Sequence, residues 1–112
     1  MSRYMQLSVT VQPHYPGDIE GTYPKLARHL GRLDAHLLKR NPSLYELAGQ
    51  LDQILYRFDG TQLGAVLLRH RENLQRLRKS VQDNIANWSL AQADRLLYGL
   101  EDTFDEIERE LD

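Results

Sequence analysis

Apolar side chains recur every three or four residues along most of this chain, and the places where that rhythm stops divide it into four predicted helices. The first, about 23–40, carries Leu26, Leu30, Leu33 and Leu37, with Thr22 as N-cap, Pro24 in its first turn and Asn41-Pro42 as its stop. The second, about 44–59, opens with Ser43-Leu44-Tyr45-Glu46, a capping box. It then repeats Leu44, Leu47, Leu51, Ile54 and Phe58 before Gly60 ends it. The third, about 62–87, is capped by Thr61 and presents Leu63, Leu67, His70, Leu74, Leu77, Val81, Ile85 and Trp88 on one side. The fourth, about 90–111, follows a second capping box, Ser89 to Gln92, and shows Leu90, Ala93, Leu97, Leu100, Phe104, Ile107 and Leu111. Short links between such segments favour antiparallel neighbours. The expectation is an all-α protein, an antiparallel up-down four-helix bundle over residues 22–112.

The first 21 residues have a different rhythm. Met5, Leu7, Val9 and Val11 alternate with Gln6, Ser8, Thr10 and Gln12, the period of a strand, and His14 to Gly21 reads as a loop by its Pro and Gly residues. A lone β-strand leaves its backbone unpaired, so this extended N-terminal arm is expected to pair with another chain or to lie over its own bundle.

Helix lengths suggest an assembly surface. At about 1.5 Å per residue the third helix spans about 40 Å and the second only about 25 Å, so the far end of the third and fourth helices is expected to overhang. Val81, Ile85, Trp88, Leu90, Leu96 and Leu97 make that end apolar, and a homodimer through it is the expectation. The competing expectation is that the arm covers this patch within one chain.

Charge moves the partner-binding expectation away from the third helix. The chain of 112 residues has a net charge of −2, weak grounds for a dedicated nucleic-acid binder. Arg69, Arg71, Arg76 and Arg78 bracket the apolar seam of the third helix, while Asp94, Glu101, Asp105, Glu108 and Asp112 lie along one flank of the fourth. Such flanking charges are expected to pair across helices. In the first helix Lys25, Arg28, His29, Arg32, His36 and Lys39 fall within about 100° of arc, with no acid among them. This cationic stripe is the expected partner-binding face. It contains no aromatic residue for base stacking, so an acidic protein is preferred over nucleic acid as its partner.

Catalytic and metal chemistry find little support. There is no cysteine, hence no thiol nucleophile and no disulfide. His29 and His36 stand about 10 Å apart on a continuous helix, too far to share an ion, and no Glu-x-x-His or His-Glu-x-x-His spacing occurs, so neither a metal nor a cofactor is expected. The acids of the C-terminal segment lack a desolvating pocket. His70 occupies a seam position otherwise held by leucine and is a candidate pH-sensitive core residue. Tyr45 and Tyr56 flank Asp52 on the second helix as core-edge residues or interface anchors. With no secretory leader or membrane span in the sequence, the chain is expected to be cytoplasmic. The functional expectation is a non-catalytic helical adaptor or regulatory protein, coiled-coil-like in its seams, acting as a homodimer. A nucleic-acid-binding accessory protein using the same stripe is the alternative.

Overall fold

The computed structural model describes Val11, Pro13 and residues 18–112. Among these residues every regular element is a helix: α1 (Ile19–Thr22), α2 (Pro24–Leu33), α3 (Ala35–Lys39), α4 (Leu44–Gly49), α5 (Leu51–Arg57), α6 (Gln62–Ala86) and α7 (Leu90–Glu110). The alternating segment 4–12 lies outside the described residues, Val11 excepted.

The two long helices form the spine. Asn73 pairs with Thr103, His70 with Glu110, and Leu77 lies beside Gly99, so positions rise on α6 as they fall on α7 and the two run antiparallel. Leu63, Leu74, Leu100, Phe104 and Ile107 are fully buried along this spine. On its other side α6 meets α4 and α5, again antiparallel, through Arg71 with Asp52 and Arg78 with Tyr45. The α5–α6 reversal is tight because Gly60 takes φ +79 and Thr61 caps α6 by accepting from the Gly64 N–H at 3.1 Å.

The first predicted helix is not one rod. A continuous helix from Ile19 to Asn41 would hold its ends about 33 Å apart, yet the Ile19 N–H donates to Asn41 Oδ1 at 3.1 Å. The chain reverses at Asp34, whose φ and ψ of −144° and 72° are not helical and whose carboxylate accepts from the Leu37 N–H as the N-cap of α3. α2 therefore runs parallel to α7, with Tyr23 beside Asp105, Leu26 beside Glu108 and His29 beside Asp112. α3 returns beside α5, where Arg57 pairs with Asp34. Leu33, expected in the seam, is exposed at this bend.

Three further expectations change. Thr22 ends α1 and does not cap α2. Part of the expected loop 14–21 is helical: α1, capped by Asp18, buries Ile19 completely. The second predicted helix is divided at Gln50.

Candidate interaction surfaces

The stripe expected on the first helix is dispersed by the reversal. Lys25 is half-buried, and its N–H and that of Leu26 donate to the two oxygens of Glu108 at 2.8 and 2.9 Å. This carboxylate of α7 caps the N-terminus of α2 in place of a local cap, a favourable meeting of an anion with exposed N–H donors and the helix dipole. Arg28 donates to the Asp112 carbonyl. His29, expected outward, is only 7% exposed, with Nε2 3.2 Å from the same carbonyl. Arg32 is exposed on α2, whereas the exposed His36 and Lys39 lie beyond the bend on α3. The six residues are not one line of cations, because the helical wheel assumed a helix that Asp34 interrupts.

The flanking charges of the spine are also distributed differently from a facing pair of ladders. Arg69 reaches Glu110 at 3.5 Å, Arg71 reaches Asp52 of α5 at 3.0 Å, and Arg76 bonds Asn73 on its own helix. Arg78 lies over the Tyr45 ring, 4.9 Å from its centroid, making Tyr45 a core-edge residue of α4. On α7, Asp105 accepts from the Tyr23 hydroxyl at 2.9 Å. Sequence reasoning missed the buried Thr103, which accepts from Asn73 Nδ2 and donates to the Gly99 carbonyl, both at 2.9 Å. The available signal was a hydroxyl beside Phe104 in the α7 seam.

His70 is not a core residue. Its side chain is 16% exposed at the α6/α7 edge, with Nε2 2.6 Å from Glu110 Oε2. The hydrogen bond from His70 is the largest influence on the Glu110 carboxyl and holds it below its ordinary pKa; burial opposes it, and the electrostatic attraction of His70 and Arg69 adds to the lowering.

At the α6–α7 turn the structure narrows the expected apolar patch. Val81 is completely buried and takes no part in an exposed surface, because its position on α6 faces the core. Ile85, Leu96 and Leu97 are half-buried against that core, while Trp88 and Leu90 are exposed. Two described residues of the N-terminal segment approach from one side: Val11 and Pro13 share a cavity with Tyr45 and Ile85. Trp88 has φ +57. Its N–H donates to the Ile85 carbonyl at 3.0 Å and the Ser89 N–H to the Asn84 carbonyl at 2.7 Å, the paired bonds that close a helix through a left-handed residue. The capping box expected at Ser89 does not form, since the serine side chain makes no cap bond.

A second apolar surface lies near the α5–α6 reversal, where Tyr56 is 86% and Leu68 62% exposed on the walls of one groove. Among the described residues no group of three or more His, Asp or Glu side chains is placed to hold a metal ion, and no helix is long and apolar enough to cross a membrane.

These features define a small all-α protein in which, among the described residues, Trp88 with Leu90 and Tyr56 with Leu68 form two exposed apolar pairs, while Leu33 and Tyr98 are exposed apart from them. Comparison with known protein families, with curated proteins and with solved structures finds no match.

Proposed function

We propose that the protein is a non-catalytic adaptor or regulatory module, a rigid helical bundle that acts by binding other proteins and works as a homodimer joined through the α6–α7 turn. The observation that carries this reading is Trp88, 60% exposed on a left-handed backbone. That conformation costs an L-residue about 1–2 kcal/mol, a cost that glycine at the same position would avoid. Strained positions concentrate where a protein binds or switches, and tryptophan is among the residues that contribute most at interfaces. Leu90 extends the exposed apolar surface beside it, over the half-buried Ile85, Leu96 and Leu97. A single apolar patch of this kind suits two-fold pairing, in which the same surface of each copy meets the other. The cations left exposed, Arg32, His36 and Lys39, support an acidic protein as a partner beyond the dimer.

Light scattering over a wide concentration range tests the dimer. The expected result is a mass that rises towards twice the chain mass and falls to the monomer in Trp88→Ala, with unchanged helical circular dichroism. A concentration-independent monomer for the unaltered chain would overturn the reading.

A further inference from the structure

The groove between α5 and α6 has a volume of about 680 Å³; a shallower hollow of about 420 Å³ on α5 alone, lined also by Gln53 and by Arg57, the partner of Asp34, adjoins it at Asp52 and Tyr56. Leu55, Ala65 and Leu68 give the larger one apolar walls, and the Tyr56 ring stands nearly free between the two. Two carboxylates, Asp52 and Asp59, lie in the larger compartment and no cation does. Asp52 holds Arg71 and Gln75 at its edge. Asp59 has no ion-pair partner among the described residues, nor has Glu72, exposed one turn beyond Leu68 on α6.

We propose that this groove is the docking site for an amphipathic helix of a partner protein, one that carries lysine or arginine beside its apolar face. The inference rests on the reading of the chain as an interaction module but not on dimerisation. A helix fits because both walls are helices whose backbone groups are internally bonded, leaving no edge to which a strand could add. Side chains at i, i+3, i+4 and i+7 of an incoming helix meet such a groove as a ridge. Cations beside that ridge face Asp59 and Glu72, whose charges no described side chain offsets by an ion pair. This chain does not itself supply such a helix among its described residues: its other strongly exposed apolar side chains are Leu33 at the bend, Trp88 and Leu90 at the turn, and Tyr98.

The test uses the full chain and a synthetic amphipathic peptide of about 18 residues, five helical turns, with leucines on one face and lysines on both flanks. A second peptide carries glutamate in place of each lysine. Fluorescence anisotropy is expected to show binding of the lysine peptide that weakens with salt, and amide shifts confined to residues 52–72. Leu68→Ser and Tyr56→Ala, both at exposed positions, are expected to weaken binding about tenfold or more, and Asp59→Asn to weaken it less while reducing the salt dependence. The glutamate peptide is expected not to bind. The proposal is overturned if the lysine peptide does not bind, if the glutamate peptide binds equally well, or if Leu68→Ser and Tyr56→Ala leave affinity unchanged. It is also overturned if Leu68→Ser alone dissociates a dimer, because the occupant is then a second copy of this chain. The Trp88→Ala protein is expected to bind the peptide with unaltered affinity, so loss of the dimer and loss of the groove are read separately.

Discussion

Trp88 stands out among the residues held at positive φ. Gly60 has no Cβ to clash, and Asn41, at φ +46, belongs to a residue type that tolerates the left-handed region and uses its side chain to hold Ile19. Trp88 has neither excuse: its backbone bonds would serve any residue, and its ring is mostly in solvent. At a concentration low enough that the unaltered chain is monomeric, Trp88→Gly is therefore expected to raise stability by up to about 1 kcal/mol in urea denaturation, the strain relieved exceeding the added unfolded-state entropy of glycine, while at higher concentration the dimer is lost. A fall in the urea midpoint would show that the tryptophan ring contributes more to the fold than its exposure indicates. Glu110 sets a different residue-scale expectation. Its pKa is depressed by the His70 hydrogen bond, so its contribution to stability is present above the ordinary carboxylate pKa and is lost as pH falls through the depressed value. Glu110→Gln is expected to flatten the acid limb of stability measured by chemical denaturation below about pH 4.5, the carboxylate range. An unaltered acid limb would remove this pair from the pH response.

At the scale of elements, α2 depends on α7 for its start. The Glu108 carboxylate satisfies two N–H groups that Tyr23 does not cap, so Glu108→Ala is expected to cost about 1–2 kcal/mol and to speed hydrogen exchange first at Lys25 and Leu26. Equal exchange in the two proteins would mean that the cap is replaced by water. The α5–α6 reversal is constrained more severely. A Cβ on Gly64 would lie 2.2 Å from the Phe58 carbonyl oxygen, so Gly64→Ala is expected to cost about 2 kcal/mol or more, read as a lower melting temperature. These two elements also show what the sequence makes legible. The apolar rhythm of 62–87 and 90–111 corresponds to α6 and α7 because long amphipathic helices bury one continuous stripe. The leucines at 26, 30, 33 and 37 have the same spacing, but that spacing serves equally two short helices folded back on each other. The sign of the bend was Asp34, an N-cap residue inside the pattern. Its consequence for the site was larger than for the core, since it separates His36 and Lys39 from Arg28 and Arg32. Tyr56, read from the sequence as a core-edge residue or an interface anchor, is almost fully exposed, and the groove beside it was not legible, because Leu68 lies outside every seam and becomes part of a wall only when α5 packs on α6.

For the whole molecule, α6 joins the two apolar surfaces. Leu68 and Trp88 are twenty residues apart on and just beyond this helix, about 30 Å along its axis, too far for one to alter the other directly. If two chains meet end to end at Trp88, their α5/α6 grooves lie about 60 Å apart, and the dimer presents two identical docking sites at its extremities. That geometry makes a measurable demand on a bivalent ligand. Two lysine peptides joined by a polyproline spacer of about twenty residues span about 60 Å, whereas a spacer of about six residues spans only about 20 Å. The long-spacer ligand is expected to bind about a hundredfold more tightly than a single peptide, the lower end of avidity gains, and the short-spacer ligand no more tightly than statistics require. Trp88→Ala is expected to abolish the gain of the long-spacer ligand while leaving single-peptide affinity intact. Equal gains from both spacers would place the grooves close together and contradict end-to-end pairing. A gain that survives in a demonstrated Trp88→Ala monomer would put two binding sites on one chain.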